Sequence, residues 1–569
     1  MRKSLFKSSQ KLFLLLITAV SVFKSFGQSP TDWIDYNQEY YKFSIGEDNI
    51  YRLSYDVLNN AGIPLDAIDP RTISIFHNGI EQHLYVEGES DGKFDTEDFI
   101  EFYGEKNDGR SETSLYKTPS DQPHTNYSIF TDTASYFLTW SSTPSGFRVQ
   151  SYSDINFSGK TPDSFFLYNE TKSLTRDFFS GIPNSNDRSQ VFSEYSGGEG
   201  FHQWQFTGQT RVPIILPGLY AEGGEAIINS LAYSGNNNKE VISNGYNHHF
   251  GLCLDSRSNV LASQKTLGFE EVRLSVKIDA SKLKSTSIFY MGELSYSGSG
   301  FYNSYVSVTY PRKFDLEGNS KLKLSSTINS NYFRFLDYSA GLDKPVIHDF
   351  VSKKRIIPQH NSDKSIQFNL IDEDTASFYL CDETQILEIE SLKRINFKAF
   401  AKDISVNYLI ISNKKLESGA VDYSDYRSSS LGGGYKVRIT YVDELYDQFA
   451  YGTESPIAAR EYTQSLNEIL PNLEYILILG KGQSYHRIRN NYTIKDAYNL
   501  VPVIGHPASD YLYVTPLDAS SLEHQYAIGR IPARSNAEIQ IYLEKLKEYE
   551  SSPPDASKKK IVQLAGGVA

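Results

Sequence analysis

The sequence predicts a multidomain protein in which β-rich, sandwich-like modules precede an incomplete α/β domain with a doubly wound sheet. Its 569 residues are enough for about three to four domains of ~150 residues each. The 41 Tyr and 33 Phe are typical of pleated, half-buried strands, which predicts mostly β structure before residue 395. After residue 395, short continuous apolar runs alternate with helical patterns, and such runs suit a parallel sheet that is buried on both faces.

Residues 1–27 have the pattern of a secretory signal peptide. Basic residues within positions 2–11 precede an apolar stretch at 12–23, and Gly27 provides a small residue before Gln28. The apolar stretch is shorter than the ~20 residues that a transmembrane helix needs. We therefore expect an exported protein whose mature chain begins at Gln28.

Two β modules are predicted, at 28–160 and 161–395, with the break near Thr161-Pro162. Short runs rich in aromatic and β-branched residues, separated by turn residues, indicate strands. The predicted strands are 40–45, 73–76, 99–103, 136–140, 201–206, 272–278, 305–310, 365–370 and 377–381. Packed, sandwich-like sheets are the expected arrangement.

Residues 396–569 are predicted to form the α/β domain. The predicted strands are 406–411, 437–442, 475–479 and 561–565. A helix is predicted to begin at Ser455-Pro456, because Pro there occupies its preferred first helical position. Ser535 and Glu538 form a capping-box pattern before a further helix, whose apolar stripe is predicted at 539, 542, 543, 546 and 549. This alternation indicates a doubly wound sheet.

The working site of such a sheet lies just outside the carboxyl ends of its strands. Those ends lead here into 480–484, 505–510 and 566–567. Asp510, Gly566 and Gly567 are therefore candidates for shaping a substrate site. Asp510 has two open interpretations: it shapes a cleft or binds a cation, or it is a turn carboxylate that accepts backbone N–H groups.

Three other reactive side chains are interpreted as structural. Arg530 follows a strand predicted to end at Gly529, and an ion pair is favoured for it over a catalytic role. Cys253 and Cys381 are the only cysteines, and an exported protein allows them to pair. Buried structural thiols are favoured over a disulfide or a nucleophile, because Cys381 ends an apolar run.

The motifs LEYILILG, VPVIGHPASDYLYV, YAIGRIPARSNAEIQIYLEKLKEYE and KIVQLAGG follow one another in residues 396–569. Their order resembles the gingipain-type cysteine peptidases, whose catalytic domain is caspase-like. The resemblance implies a catalytic His in a Gly-His-Gly turn and a nucleophilic Cys after the following strand, both beyond Ala569. No catalytic residue is therefore assigned within this chain, and the chain alone is predicted to be inactive. Ala565 matches the position of a Glu that assists the His in some gingipains, which implies a dyad.

Residues 40–54, 69–76 and 91–104 resemble the N-terminal region of PorU-type sortases of type IX secretion. The resemblance implies that the complete protein removes C-terminal sorting domains from secreted cargo proteins and transfers the cargo to a surface lipopolysaccharide. It also implies a location at the outer membrane surface or in the periplasm, with other outer-membrane components of type IX secretion as partners. Hydrolysis and transpeptidation share their first step, and both remain open. The alternative is a non-catalytic, β-rich scaffold of the secretion or gliding machinery.

The net charge of −13 disfavours nucleic acid as a partner, because phosphate binding requires a basic surface. No cofactor is expected apart from a structural calcium ion. Asp91, Asp95 and Asp98 have the clustered carboxylates that calcium prefers in exported proteins. They lack the full EF-hand spacing, and a tight Asp-Gly turn is the favoured interpretation.

Overall fold

The computed structural model describes residues 29–551, except residues 145, 184–192, 237–244, 296–299, 340–343, 373, 517–522 and 524 and the side chain of Tyr492. The predicted signal peptide at 1–27, the predicted last strand at 561–565, and Ala565, Gly566 and Gly567 lie outside the described residues. Within the described ranges, no helix combines the length and the apolar character that crossing a membrane requires.

Short strands dominate the chain before residue 396. The first group comprises β1 (Tyr40–Ile45), β2 (Asn49–Ser54), helix α1 (Tyr55–Asn60), β3 (Ile73–His77), β4 (Ile80–Glu81), β5 (Tyr85–Val86), β6 (Phe99–Gly104), β7 (Ala134–Trp140) and β8 (Gln150–Tyr152). The second comprises β9 (Phe166–Ser173), β10 (Asp177–Phe179), β11 (Gly200–Phe206), β12 (Gln209–Ile215), β13 (Glu225–Ser234), β14 (His248–Leu254), β15 (Val260–Thr266), β16 (Glu271–Asp279), β17 (Thr286–Glu293) and β18 (Gly300–Arg312). The third comprises β19 (Leu322–Thr327), β20 (Tyr332–Phe335), β21 (Pro345–Asp349), β22 (Lys354–Ile356), β23 (Gln359–His360), β24 (Ile366–Asn369), β25 (Thr375–Asp382), β26 (Leu387–Glu388) and β27 (Lys393–Ile395). The predicted strands are confirmed, with ends that differ by a few residues.

These strands form pairs of sheets that enclose apolar cores. The first β unit pairs the sheet β27-β1-β7-β3-β4 with the sheet β26-β2-β6-β5 around one core. The second β unit pairs β10-β11-β18-β13-β16, to which β9 is added beside β18, with β12-β17-β14-β15. The third β unit pairs β19-β25-β21-β22-β8 with β20-β24-β23. The sandwich-like prediction for this region is confirmed.

The range 161–395, predicted as one module, thus contains two separate cores. Its last strands, β26 and β27, join the sheets of the first β unit, and β8 from the first range joins the third β unit. Alternation of apolar residues indicates a strand, but it does not indicate which distant strand will be its neighbour. The module boundaries depend on these long-range pairings.

A buried charge network joins the first and third β units. Glu101 in β6 is completely buried and accepts hydrogen bonds from His348 Nε2 at 2.7 Å and from Arg355 Nε at 2.8 Å. Arg52 Nη2 adds a contact at 2.9 Å. Burial alone would raise the pKa of Glu101, but His348 and Arg355 together lower it well below its usual range. The carboxylate therefore stays charged beside the Arg355 guanidinium.

The region after residue 395 alternates strands and helices. Its elements are β28 (Tyr408–Ser412), α2 (Glu417–Ser428), β29 (Val437–Tyr441), α3 (Val442–Phe449), α4 (Pro456–Gln464), α5 (Leu466–Ile469), β30 (Tyr475–Leu479), α6 (Tyr485–Ile488), α7 (Tyr492–Tyr498), β31 (Ala527–Ile531) and α8 (Asn536–Ser551). The strands pair in the order β29-β28-β30-β31, and all pairs are parallel.

Helices cover both faces of this sheet, which confirms the doubly wound prediction. Leu409 and Ile411 of β28 pack against α3 and α4, and Tyr408 and Ile410 pack on the opposite side with α2 and α8. Alternate residues of one strand point to opposite faces, so a strand buried on both sides must be apolar throughout. The strand-rich part of the chain before residue 396 is called the β region here. Its apolar residues, including Tyr195, complete the core on the α3–α4 side.

The predicted capping box at the start of α8 forms only in part. The Ser535 hydroxyl accepts a hydrogen bond from the Glu538 N–H at 3.3 Å. The Glu538 carboxylate accepts from the Arg534 N–H at 2.8 Å and from the Arg534 guanidinium. The reciprocal half of the box is replaced, because the guanidinium offers the carboxylate charge-assisted hydrogen bonds.

Candidate functional site

The carboxyl ends of β28, β30 and β31 meet at one edge of the parallel sheet. The register places Ser412 beside Leu479 and Leu479 beside Ile531. Residues 480–510 follow β30 and are called the edge loop here. The Asn413 side-chain amide, just after β28, donates a hydrogen bond to the Leu500 carbonyl of the edge loop at 3.0 Å. Loops at this position form the binding sites of open α/β sheets, so this edge is the candidate site.

Arg530 holds the edge loop from the side of the sheet. It lies within β31, so the prediction that its strand ends at Gly529 is wrong, since Arg530 and Ile531 still pair with β30. Its guanidinium forms a bidentate pair with Asp510, with N–O distances of 2.8 and 2.7 Å. It also donates to three backbone carbonyls at 2.8 to 2.9 Å, those of Gly480, Val501 and Pro502.

Arg530 thus forms a structural ion pair, which is the interpretation that the sequence favours. Its planar guanidinium presents five N–H donors in a fixed fork, and here all of the contacts connect to one loop. The Asp510 carboxylate is paired with this guanidinium. Asp510 therefore contributes to the candidate site by fixing the loop. Gly566 and Gly567 lie outside the described residues, so their site-shaping role stays a prediction.

The second β unit holds the edge loop from the opposite side. Tyr485, at the start of α6, donates its hydroxyl to Glu199 Oε1 at 2.8 Å, and its ring stacks on Tyr195 with a centroid distance of 5.9 Å. The backbone N–H of His506 donates to the Ser193 carbonyl at 3.2 Å. Glu199 is completely buried, and this burial raises its pKa to about 8. Glu199 is therefore predominantly a neutral carboxylic acid at pH 7.

A further contact of the same kind lies at the end of α6. Arg489 donates to the Ser128 carbonyl at 3.0 Å and pairs with Asp132 at 2.8 Å. The Ser128 hydroxyl in turn donates to Glu112, which also accepts from the Ile129 N–H at 2.9 Å. Burial raises the pKa of Glu112 to about 8, and these hydrogen bonds limit the increase.

His486 and His506 lie side by side in the edge loop, with ring centroids 5.1 Å apart. Phe178 of β10 stacks on His486 at 4.4 Å and meets the His506 ring edge-on at 4.9 Å. Burial lowers the pKa of both imidazoles, with further lowering by Arg487, and that of His486 falls to about 4. Both rings are neutral at pH 7 and form an aromatic cluster with Phe178.

Cys253 and Cys381 lie in β14 and β25, inside the β region and away from the carboxyl edge. Both are unpaired and completely buried. Burial raises the pKa of both thiols, that of Cys381 to about 12. A thiolate is the reactive form of cysteine, so neither is suited to be a nucleophile, and the prediction of buried structural thiols is confirmed.

The calcium candidates do not surround a common point. Asp91 accepts a hydrogen bond from the Lys93 N–H at 2.9 Å, and Asp98 accepts from the Asp95 N–H at 2.7 Å. Across the described part of the chain, no group of three or more His, Cys, Asp or Glu side chains is arranged to hold a metal ion. The turn interpretation agrees with this geometry, and calcium binding gains no support from it.

Sequence reasoning missed Glu199 and Tyr485, which join the β region to the edge loop. Neither residue belongs to a recognisable motif, and they are 286 positions apart. Only the fold brings them together. The sequence does place 480–484 after a strand, but the prediction that a strand end also leads into 505–510 is wrong, because residues 480–510 contain no strand and return to the sheet edge as one loop.

Comparison with known proteins agrees with this geometry. Residues 401–569 match peptidase family C25. The crystal structure of dimeric latent PorU from Porphyromonas gingivalis is similar, with a TM-score of 0.57 and 14% identity over 91% of this chain and 50% of that chain. This chain therefore spans about half the length of that protein. A beta-porphyranase of glycoside hydrolase family 86 from Bacteroides plebeius reaches a TM-score of only 0.15, with 10% identity over 48% of this chain and 34% of that chain. No curated protein matches the chain.

The fold similarity to PorU extends over the β units as well as over the α/β sheet, because it covers most of this chain. The family match is confined to the α/β sheet and the residues that follow it. Residues 401–569 are therefore similar to peptidase family C25, the gingipain family, and most of the chain has a fold similar to that of PorU.

Proposed function

We propose that the complete protein is a gingipain-type cysteine peptidase that acts as a sortase on secreted cargo. The observation that carries the proposal is the match to peptidase family C25 on a parallel sheet whose carboxyl ends meet at one edge. The family supports a cysteine peptidase, and the PorU-like fold supports a sortase-like role. Removal of C-terminal sorting domains from type IX cargo is the specific reaction that we propose.

The proposed chemistry is acyl transfer by a thiolate. The thiolate attacks the carbonyl at the cargo junction, the C–N bond breaks, and a His gives its proton to the leaving amine. Water or an amine on a surface lipopolysaccharide then attacks the thioester and releases the thiol. Cys253 and Cys381 are buried within β sheets, so we place the nucleophile and its His beyond Ala569, where the resemblance implies them.

We further propose that residues 1–27 are removed as a signal peptide and that the mature protein acts at the outer membrane surface or in the periplasm. The basic and then apolar start of the chain supports this proposal. N-terminal sequencing of the exported protein should begin at or next to Gln28. Retention of Met1 on the exported species would contradict the proposal.

The alternative is a scaffold without catalysis, in which the α/β sheet serves for docking. One observation favours it: the edge loop is held on one side by buried contacts with the second β unit, through Tyr195 and Glu199. Such extensive support is also what a rigid docking surface requires. The two functions differ in whether the complete protein has a thiol at this edge.

The deciding experiment uses the complete protein and a cargo protein that carries a C-terminal sorting domain. Cleavage should be abolished by iodoacetamide and by substitution of the single Cys that the family places after a Gly-His-Gly turn. The matched control replaces both Cys253 and Cys381 with Ala, and this variant should cleave normally. Cleavage that depends on Cys253 or Cys381 would contradict the proposed mechanism. A complete protein that lacks the expected Cys and does not cleave would establish the scaffold.

A further inference from the structure

Residues 193–199 of the second β unit contact the edge loop at two places. The Ser193 carbonyl accepts from the His506 N–H at 3.2 Å. The same carbonyl oxygen lies so near Gly505 that a Cβ there would be 1.9 Å from it, and Gly505 has a φ of +78°. Only glycine combines this left-handed backbone with such close approach. The backbone of the edge loop is therefore shaped to receive residue 193.

Glu199 forms the second contact, and it is more deeply enclosed than the first. Its Oε1 accepts from the Tyr485 hydroxyl at 2.8 Å, and its backbone carbonyl accepts from the Tyr116 hydroxyl at 2.7 Å. Tyr195 packs between these rings, at 5.5 Å from Tyr116 and 5.9 Å from Tyr485. All of these side chains are buried. A buried carboxyl group is costly unless it is hydrogen-bonded. Glu199 also accepts from the Ser196 N–H at 3.3 Å, so the Tyr485 hydroxyl is the donor that reaches it from the edge loop.

The two contacts lie at opposite ends of the edge loop. Tyr485 comes five positions after Gly480, and His506 comes four positions before Asp510. Gly480 and Asp510 are the positions that Arg530 holds from the sheet. The loop is thus fixed between a cation on the sheet and residues 193–199 of a different unit.

We propose that residues 193–199 are a positioning element of the candidate active site, which hold the edge loop in its working conformation through Ser193 and Glu199. The inference rests on the proposed function for its catalytic consequence. Its structural consequence is independent: loosening the Glu199–Tyr485 contact should loosen the edge loop while leaving the sheet intact. A contact that serves only for general stability would instead affect the whole α/β region.

Hydrogen exchange of the chain from residue 28 to 569 tests the structural consequence. Tyr485→Phe removes the hydroxyl that joins the edge loop to Glu199, whose remaining donor is the Ser196 N–H within residues 193–199, so amides of the edge loop should exchange about tenfold faster. Tyr462→Phe is the matched control, because Tyr462 is equally buried in the same region and its hydroxyl contacts Thr440 at 3.1 Å, away from residues 193–199. The control should leave exchange in the edge loop unchanged. The proposal would be overturned if the edge loop exchanged at the same rate in Tyr485→Phe and Tyr462→Phe. It would also be overturned if Tyr485→Phe accelerated exchange throughout β28 to β31.

Substitutions at Glu199 provide a second test if Tyr485→Phe fails to fold. Glu199→Gln keeps a neutral group whose oxygen accepts from Tyr485, and it should preserve protection of the edge loop within about threefold. Glu199→Ala removes the acceptor for the Tyr485 hydroxyl, so exchange in the edge loop should increase by more than about tenfold. Loss of protection in both variants alike would show that the hydrogen bond is not what holds the loop.

Cleavage by the complete protein tests the catalytic consequence. With active sites counted by incorporation of iodoacetamide, Tyr485→Phe should lower kcat about tenfold and change KM less, because a displaced loop misaligns groups that are still present. A lower number of active sites with unchanged kcat would indicate a purely structural role and overturn the catalytic part. If the unsubstituted complete protein does not cleave, the proposed function fails, whereas the exchange result still decides whether residues 193–199 position the loop.

Discussion

Replacement of Arg530 with Lys should release the edge loop from the sheet. Arg530 makes contacts with the two carboxylate oxygens of Asp510 and with three backbone carbonyls. An ammonium group has three donors and a different shape, so at least two of these contacts must be lost. Each hydrogen bond to a charged group contributes ~1.5–3 kcal/mol. Because the Asp510 side chain is 22% exposed, we take the lower end and expect a loss of about 3 kcal/mol.

The matched control is Arg534→Lys, four positions away. Arg534 pairs with Glu538 on the surface, where the side chains are 50% and 35% exposed, and such exposed pairs contribute little to stability because water and salt screen them. Hydrogen exchange is the appropriate assay, because one global unfolding free energy is not defined for a chain with several cores. Arg530→Lys should reduce protection of residues 500–513 by at least about a hundredfold, and Arg534→Lys by less than about fivefold. Similar effects of the two substitutions would refute the idea that Arg530 fixes the loop.

Buried charges and thiols elsewhere give three more expected outcomes. Glu101→Gln leaves the buried Arg355 guanidinium without its carboxylate and should destabilise the junction of the first and third β units by ~3–5 kcal/mol, seen as faster hydrogen exchange in β6 and β22; a change below about 1 kcal/mol would contradict the network. Glu112 and Glu199 have pKa values raised from 4.5 to about 8, so their contribution to stability is complete below about pH 4.5 and is lost as pH rises through about 8. Hydrogen exchange of amides near each carboxyl, corrected for the intrinsic pH dependence of exchange, should therefore show a loss of about 1.4 kcal/mol per carboxyl between about pH 7 and 9.5, and Glu199→Gln should reduce this loss near residue 199. Cys253 and Cys381 are completely buried, so a thiol reagent should label them only after unfolding, and rapid labelling of the folded chain would show that one of them is accessible.

The elements that the sequence predicts best are those with local signals. The strand at 475–479 is a continuous apolar run ended by Gly480, and the structure has Tyr475–Leu479. The helix at Pro456 begins where the Pro rule places it. Both signals arise from neighbouring residues, and neither depends on the rest of the fold.

The parts that the sequence does not predict depend on distant partners. The residues of β27 pair with those of β1, about 350 positions earlier, and no local pattern distinguishes β27 from a strand of the third β unit. Glu199 and Tyr485 meet only because the second β unit packs on the edge loop. Tyr542 and Tyr549, which lie on the predicted apolar stripe of α8, are 43% and 69% exposed, because the buried side of that helix is limited to positions such as Ile539 and Leu543.

The two supports of the edge loop differ in charge, so ionic strength and pH should affect them differently. On the sheet side, Arg530 and Asp510 form an ion pair. On the side of the β region, Glu199, His486 and His506 are neutral at pH 7, because burial raises the pKa of the acid and lowers the pKa of the imidazoles. Neutral groups are buried at lower cost than charges, and they are not screened by salt. The Arg489–Asp132 pair, whose carboxylate is 48% exposed, should weaken as salt is added. The contact that involves the neutral groups should instead be insensitive to ionic strength and sensitive to pH. It weakens in acid, where the imidazoles must take up protons in the folded state, and in base, where Glu199 must lose one.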